Sequence, residues 1–271
     1  MLDARWSMLV KDATASIEQR ESRIVMSQTA AAIICAAGAS SRFGGKRKKA
    51  FVDVGGRAVF LRSVELFAGR SDVKQVLLGI AKEDEELVNV KWGPNLAFFN
   101  VKIFTGGAER FDTVRKGLEL VREGIDLVAV HDACRCCVTE AIIEATIAAA
   151  AKHGAAIPAC PVTATIKDVR SGTIIKTIDR AGLYEAQTPQ VFAASLLVEA
   201  YKNLDNLDKS RISDDSQLLE ALGHKVAIVE SDSSNIKITG KSDIAIAEAI
   251  LETRPKPAAG GPIGPYIEAQ W

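Results

Sequence analysis

The stretch AAIICAAGASSRFGGKRKKAF, residues 31–51, decides the fold of this chain. It begins with a short apolar run, residues 31–37, which is typical of a strand buried on both faces. The loop that follows, residues 36–41, has almost no side-chain bulk, so a ligand can approach its backbone N–H groups closely. Five cations then lie within eight positions, and a bound polyanion would relieve their mutual repulsion: Arg42, Lys46, Arg47, Lys48 and Lys49. The stretch therefore predicts a cradle for a nucleoside triphosphate, with an exposed basic turn as the alternative.

Neither of the two most familiar phosphate-binding loops is present in this stretch. A dinucleotide fingerprint requires G-x-G-x-x-G, whereas Gly38 is followed by Ser40 and Ser41. A P-loop requires Ser or Thr after Gly-Lys, whereas Arg47 stands there. The pattern A-A-G-x-x-x-R-F instead resembles the signature loop of sugar- and polyol-phosphate nucleotidyltransferases.

Composition limits the classes of function. The 271 residues contain 34 Lys plus Arg and 34 Asp plus Glu, so bulk charge gives no support to a nucleic-acid partner. No apolar run approaches the roughly 18 residues of a membrane span, and the first residues lack a signal-peptide core. Five cysteines without a regular framework favour reduced thiols. We expect a cytoplasmic protein without a membrane partner.

Strand and helix patterns alternate from residue 31. Predicted strands cover residues 31–37, 73–80, 98–104, 127–130 and 155–160, and helical patterns cover residues 58–68, 82–90, 109–122 and 139–152. This alternation predicts an α/β fold, Rossmann-like, with a mostly parallel twisted sheet flanked by helices. Ligands of such sheets bind at the carboxyl ends of strands. The basic loop, the Gly106-Gly107 turn and the His131-Asp132 turn all fall at those ends, which predicts one shared crevice.

The alternation of strands and helices stops over residues 161–192. Strand patterns at 163–169 and 173–178, with a turn at Gly172, predict a projecting β-hairpin there. Such an arm is either an oligomerisation element or a hairpin folded back on its own domain. Helices at 193–203, 214–222 and 242–252 and strands at 225–230 and 235–239 complete the pattern. We predict one domain over residues 30–253, with an N-terminal extension at 1–29 and a flexible Pro- and Gly-rich tail at 254–271.

A carboxylate and a guanidinium follow the fourth predicted strand. Asp132 is either a cap for the next helix or, opposite a phosphate loop, a ligand of Mg²⁺. Arg135 carries a donor fork suited to phosphate, and His131 fits a structural role better than that of a general base. The nearby thiols of Cys134, Cys136 and Cys137 lack the spacing of a zinc site, so small-residue packing is expected.

Seven segments between residues 31 and 251, in this order, resemble the 2-C-methyl-D-erythritol 4-phosphate cytidylyltransferase family. The segments are AAGASSRF, KKAFVDVGGRAVF, TGGAERFDTV, VHDACR, IDRAGLYEAQTPQVF, ISDDSQLLE and NIKITGKSDIAIAE. The resemblance implies a nucleotidyltransferase fold of the glycosyltransferase-A kind and a homodimer joined through the arm. It also implies CTP and a polyol phosphate as substrates, Mg²⁺ as the cofactor, and a place in non-mevalonate isoprenoid biosynthesis.

The resemblance also implies roles for individual residues. The catalytic cations would be Arg42, Lys49 and Lys237. The nucleotide would be bound by Ala36, Ala37, Gly38, Gly107 and Thr113, and the metal by Asp132. The alcohol phosphate would be bound by Arg135, Thr188 and Ser213, and from the partner's arm by Thr165 and Arg180.

Three positions depart from the family's usual pattern. Ala108 replaces an acidic residue beside the nucleotide glycine, Cys136 replaces proline, and Ala164 replaces aspartate in the arm. Because these departures touch base recognition and the acceptor side, a ribitol-5-phosphate cytidylyltransferase and a catalytically silent nucleotide-binding homologue stay open as alternatives. A transferase that uses another base fits the TPQVF and NIKIT segments less well.

Overall fold

The computed structural model describes residues 28–39, 43 and 48–254. Its strands are β1 Ala30–Cys35, β2 Asp53–Val54, β3 Arg57–Ala58, β4 Val73–Ile80, β5 Val101–Thr105, β6 Leu127–Asp132, β7 Ala155–Pro161, β8 Ile166–Arg170, β9 Thr173–Ile178, β10 Tyr184–Ala186, β11 Gln190–Ala193 and β12 Ala227–Glu230. Its α-helices are α1 Val59–Ala68, α2 Glu85–Phe98, α3 Arg110–Leu118, α4 Glu140–His153, α5 Ala194–Lys202, α6 Ser216–Ala221 and α7 Ser242–Glu252. Nearly all of the predicted N-terminal extension and C-terminal tail lies outside the described residues.

Eight strands form the central sheet, in the order β10-β7-β11-β6-β1-β4-β5, with β12 also paired to β7. β1 lies between β4 and β6 and runs parallel to both, with Ile33 opposite Leu77 on one side and Val130 on the other. β10 and β11 run antiparallel to their neighbours. The predicted mostly parallel sheet is confirmed, because the other six strands run in one direction.

Hydrophobic side chains cover both faces of the sheet. On one face Phe60, Phe67 and Trp92 pack with alternate residues of β1, and on the other face Phe192 and Leu197 do so. Because both faces of β1 are covered, its side chains are apolar on both faces, and the first apolar run does not alternate between apolar and polar residues. The core therefore holds β1 rigidly at the centre of the sheet.

An aromatic cluster fixes the far end of the basic loop. Phe51 stacks on Trp92 with ring centroids 5.7 Å apart and meets Phe60 edge-on at 5.6 Å. Offset and edge-on pairs of this kind add to the stabilisation from burial. The loop that leaves β1 is thus anchored again at Phe51, shortly after Lys49.

Two predicted strand positions are wrong, and one strand of the central sheet was not predicted. The strand predicted over residues 98–104 begins only at Val101, because α2 continues through Pro94 and buries Val88, Trp92 and Leu96 on one side. The strand predicted over residues 235–239 is an irregular loop. Its backbone bonds to other loops: Ile238 N–H donates to the Cys134 carbonyl at 2.9 Å. β11, which the sequence analysis missed, inserts antiparallel between β6 and β7.

The predicted hairpin is present as β8 and β9. Ser171 and Gly172 form its turn with φ angles of 48° and 78°, the left-handed region that glycine adopts most easily. Among the described strands β8 and β9 pair only with each other. Three large apolar side chains of the hairpin are more than half exposed: Val169, Ile174 and Ile175.

No helix in the described part of the chain is both long and apolar enough to cross a membrane.

Candidate active site

A cleft of about 150 Å³ opens at the carboxyl ends of β1, β5 and β6. Eight of the residues singled out from the sequence line it: Ala36, Ala37, Gly38, Lys49, Gly107, Thr113, Asp132 and Lys237. They come from separate segments of the chain, and the order of parallel strands brings those segments together at one edge. The shared crevice that the sequence predicts is therefore present, while the contact of each residue with a ligand stays a prediction.

Asp132 is the last residue of β6 and carries the central negative charge of the cleft. Its Oδ2 lies 2.6 Å from Lys237 Nζ and its Oδ1 lies 2.7 Å from Arg110 Nε. Burial alone would raise the pKa of this carboxyl, but the two cations more than offset burial and hold the pKa far below its ordinary value. Asp132 is therefore a carboxylate throughout the physiological range.

Arg110 is a site residue to which the sequence analysis assigned no role. It is the first residue of α3, shortly after the glycine turn, and it bridges two carboxylates: Nη1 lies 2.7 Å from Asp215 Oδ2. Asp215 is almost fully buried and accepts a hydrogen bond of 2.5 Å from the Tyr201 hydroxyl. The signal in the sequence was an arginine at the start of a helix that follows a glycine pair at a strand end.

The turn between β5 and α3 is shaped by close contacts. A Cβ on Gly106 would lie 2.6 Å from Ala37 Cβ, and a Cβ on Gly107 would lie 2.2 Å from Asp112 Cβ. The buried Thr113 hydroxyl accepts a hydrogen bond from Gly107 N–H at 3.0 Å. Thr113 thus fixes the glycine turn, and the turn presents its backbone to the cleft.

His131 and Thr188 support Asp132 from behind. Thr188 Oγ1 accepts a hydrogen bond from Asp132 N–H at 3.1 Å and lies 3.0 Å from His131 Nδ1. His131 is fully buried, and burial lowers its pKa to about 3. A neutral imidazole packed against Phe67, with ring centroids 5.2 Å apart, agrees with the predicted structural role.

Arg135 holds loops together beside the cleft. Its Nη1 donates to the Asn235 carbonyl at 2.6 Å, and its Nη2 donates to the Ala186 carbonyl at 3.2 Å. These bonds tie the loop that carries Lys237 to the end of β10. Arg135 therefore joins two loops in the structure, and its contact with the alcohol phosphate stays a prediction.

Five predicted residues that the structure describes do not line the cleft: Arg135, Thr165, Arg180, Thr188 and Ser213. The Ser213 hydroxyl donates to Gln217 Oε1 at 3.2 Å, close to the start of α6. Arg180 donates through Nη1 to the Thr163 carbonyl within the hairpin region, and Thr165 is exposed there. Arg42, predicted to neutralise phosphate charge, lies outside the described residues.

The cysteines of the site are packing residues. Cys134, Cys136 and Cys137 are buried in a small cluster with Phe43 and Ile238, which agrees with the packing predicted for them. Within the described ranges, no group of three or more His, Cys, Asp or Glu could hold a metal by itself. Burial raises the pKa of Cys35 to about 12, so this cleft-lining thiol stays protonated.

Comparison with known proteins adds to this geometry. The sequence profile of the 2-C-methyl-D-erythritol 4-phosphate cytidylyltransferase family matches residues 30–253. The chain is 41% identical over 224 residues to the enzyme of that name from Endomicrobium trichonymphae, covering 82% of this chain and 99% of the relative. It is 36% identical over 231 residues to the one from Rhodopirellula baltica, covering 81% of this chain and 93% of the relative.

Solved structures agree with the sequence relatives. The crystal structure of 4-diphosphocytidyl-2C-methyl-D-erythritol synthase from Anaerococcus prevotii matches with a TM-score of 0.72 at 28% identity, covering 85% of this chain and 99% of the other. The 2-C-methyl-D-erythritol 4-phosphate cytidylyltransferase from Thermus thermophilus matches with a TM-score of 0.67 at 30% identity, covering 82% and 98%. Profile, relatives and fold all agree with the cleft, and the chain belongs to the 2-C-methyl-D-erythritol 4-phosphate cytidylyltransferase family.

Proposed function

We infer that the chain transfers CMP from CTP to 2-C-methyl-D-erythritol 4-phosphate, with release of pyrophosphate. The observation that carries this function is the convergence of the small-residue loop, the Gly107 turn, Lys49, Asp132 and Lys237 in one cleft. Family membership supplies the substrate pair. The product would feed non-mevalonate isoprenoid biosynthesis, and cytoplasmic location stays a prediction from the sequence.

The reaction joins two polyanions, so its main demand is charge stabilisation. A phosphate oxygen of the alcohol phosphate attacks the α-phosphorus of CTP, a new P–O bond forms, and the bond to the bridging oxygen of pyrophosphate breaks. Lys49 and Lys237 supply positive charge where negative charge gathers in the transition state. The nucleophile is already ionised, so the reaction needs no general base, in keeping with a buried neutral His131.

The backbone of the small-residue loop and of the glycine turn would hold the nucleotide. Ala36, Ala37 and Gly38 follow β1 directly, and a Cβ on Gly38 would meet nothing within 4 Å, so there is space here for an approaching phosphate. Gly107, fixed by Thr113, would lie against the cytidine. Ala108 is exposed at this turn, where a small side chain leaves space beside the base.

Asp132 fits the role of a magnesium ligand. It is an ionised carboxylate that lines the cleft, and Mg²⁺ commonly takes one or two carboxylates together with substrate phosphates and water. A bound Mg²⁺ would neutralise phosphate charge and favour departure of pyrophosphate. Arg110 would keep the carboxylate oriented toward it, while Thr188 holds the Asp132 backbone N–H.

The acceptor side of the site would be completed by a second copy of the chain. Thr165 and Arg180 belong to the hairpin region and do not line the cleft of their own chain, whereas apolar residues of the hairpin are exposed. A homodimer that exchanges hairpins would bring these side chains to the partner's cleft. Arg135 and Ser213, which lie beside the cleft, would meet the same alcohol phosphate.

The test measures pyrophosphate release with CTP and Mg²⁺, using 2-C-methyl-D-erythritol 4-phosphate and ribitol 5-phosphate in parallel. We expect release with the first alcohol alone. Release with ribitol 5-phosphate alone would keep the mechanism and change the acceptor. A folded protein that binds CTP but turns over neither alcohol would contradict the proposed function.

A further inference from the structure

The two oxygens of Asp132 have different kinds of partner. Lys237 Nζ contacts Oδ2 from a loop, and its side chain is 39% exposed. Arg110 Nε contacts Oδ1, and the Arg110 side chain is 23% exposed. A lysine on an irregular loop can leave the carboxylate when a phosphate arrives, whereas Arg110 is held at a second point.

That second point is Asp215. Arg110 Nη1 donates to Asp215 Oδ2 at 2.7 Å, so one rigid guanidinium spans two carboxylates from different parts of the chain. Asp215 is only 1% exposed, and its own N–H donates to Gln190 Oε1 at 2.9 Å. The Asp215 carboxylate is therefore a fixed support for Arg110 rather than a surface partner.

Tyr201 completes the chain of contacts from the other side. Its hydroxyl donates to Asp215 Oδ1 at 2.5 Å, and the residue is 5% exposed within α5. Burial and the neighbouring carboxylate raise the pKa of Tyr201 well above its ordinary value, so the phenol keeps the proton that it donates. Neither the mechanism above nor the family resemblance uses this buried hydroxyl.

We propose that Tyr201 is a positioning residue for the metal-binding carboxylate, acting through Asp215 and Arg110 on Asp132. The hydroxyl fixes one oxygen of Asp215, Asp215 fixes the guanidinium of Arg110, and Arg110 fixes the oxygen of Asp132 that Lys237 does not contact. Loss of a group that bonds a metal ligand directly usually lowers metal affinity or activity by about tenfold to a hundredfold, and for the more distant Tyr201 we expect the lower end. The inference rests on the proposed function, because it assumes that Asp132 binds the metal of Mg²⁺–CTP.

The test compares CTP binding by the full-length wild type and Tyr201→Phe, using calorimetry in excess Mg²⁺ and again in EDTA. We expect Tyr201→Phe to raise the Kd of CTP about tenfold in Mg²⁺ and to leave the Kd in EDTA unchanged. The kcat/KM for CTP should fall by a similar factor. Equal weakening in both media, or no weakening in Mg²⁺, would overturn the inference.

Two further variants keep the test decisive. Thr146→Val removes another buried hydroxyl, which bonds within α4 to the Ile142 carbonyl, and it should change neither Kd. Asp215→Asn should repeat the Mg²⁺-specific loss, since an amide cannot form the ion pair with Arg110. If the wild-type Kd of CTP is the same in Mg²⁺ and in EDTA, Asp132 does not bind a metal with CTP and the proposed function is at fault. If the wild type depends on Mg²⁺ but Tyr201→Phe has the wild-type Kd, only the role of Tyr201 is wrong.

Discussion

At the scale of single residues, the cleft depends on a few charges whose partners are known. Asp132 is paired with Lys237 and Arg110, and both pairs are 2.7 Å or shorter. Removing Lys237 or Arg110 would break an ion pair with Asp132 and would also remove a positive charge that stabilises the negative charge developing during phosphoryl transfer. The activity of the site should therefore respond strongly to the loss of either cation.

Lys237 gives the most direct test at this scale. We expect Lys237→Ala to lower kcat about a hundredfold or more, because a preorganised cation at a developing charge is commonly worth that much. Measurement of pyrophosphate release at saturating CTP, together with a thermal unfolding curve, checks this expectation. Lys241→Ala is the matched control, since Lys241 is an exposed lysine four residues later in the chain and does not line the cleft. Near-normal turnover of the Lys237 variant in a folded protein would contradict the role.

His131 makes the stability of the protein depend on pH. The pKa of His131 is about 3 in the folded state against 6.5 ordinarily, so the unfolded chain binds a proton that the folded chain does not. Stability from this residue is therefore lost as pH falls from about 6.5 toward 3, by about 1.4 kcal/mol per pH unit. Urea unfolding in EDTA between about pH 6 and pH 5 should show a shallower pH dependence for His131→Asn than for the wild type. Equal slopes would show that His131 is not the residue responsible.

At the scale of secondary-structure elements, the site is made by a turn and a loop that follow strands of the central sheet. The turn after β5 is closely packed, because a Cβ on Gly107 would clash with Asp112 on the first turn of α3. The loop after β12 is held by Arg135 and by one hydrogen bond to the Cys134 carbonyl rather than by strand pairing. Both segments present cleft residues from elements that the core fixes in place.

Gly107→Ala tests the turn after β5. The added methyl would force the turn or the start of α3 to move, so we expect the KM for CTP to rise about tenfold or more while the fold persists. Steady-state kinetics over a range of CTP concentrations measures the effect.

Gly93→Ala provides the matched control for that substitution. Nothing lies within 4 Å of a Cβ at Gly93, which is in the interior of α2. This change should raise the free energy of unfolding by about 0.5–1 kcal/mol without altering the KM. An unchanged KM in Gly107→Ala would show that the turn does not hold the nucleotide.

At the scale of the whole molecule, the hairpin of β8 and β9 forms a sheet of its own and carries exposed apolar residues. β8 and β9 pair only with each other among the described strands, and Ile174 is 59% exposed. An exposed apolar hairpin usually contacts something in the working protein. A second copy of the chain is the partner that the proposed site requires.

Mixing two inactive variants tests this arrangement. Lys49→Ala damages the cleft, and Arg180→Ala damages the hairpin region that would reach the partner's cleft. If the two act in the same composite site, a re-equilibrated equal mixture should recover about a quarter of wild-type turnover, because half of the dimers are mixed and each has one intact site. Recovery is measured as pyrophosphate release against each variant alone, and sedimentation velocity gives the oligomeric state.

The control for this experiment uses two variants of the same cleft. A mixture of Lys49→Ala and Lys237→Ala dimers should recover nothing if both residues come from the same chain in each site, since every mixed site would then carry one damaged residue. No recovery with the Arg180 variant in a stable dimer would mean that Arg180 serves its own chain.

The sequence by itself determined the class of fold and most of the cleft. An apolar run such as β1 is specified locally, because a strand buried on both faces needs an uninterrupted hydrophobic segment. The carboxyl ends of the parallel strands lie at one edge, so the sequence alone assigns Gly107 and Asp132 to one crevice. The ordered motifs of the family added Lys237, which no periodic pattern would identify.

Only the tertiary structure decided the contacts between distant segments. Arg110 and Asp215 lie 105 positions apart in the chain, and nothing in their local sequence pairs them. β11 is a four-residue strand that occupies the gap between β6 and β7. The loop at residues 235–239 bonds through the Asn235 carbonyl to Arg135 and through the Ile238 N–H to Cys134 instead of pairing as a strand. Local sequence determines which elements form, but long-range burial and charge pairing determine which side chains meet. The contacts of Arg110 with Asp132 and Asp215 are set by such long-range pairing.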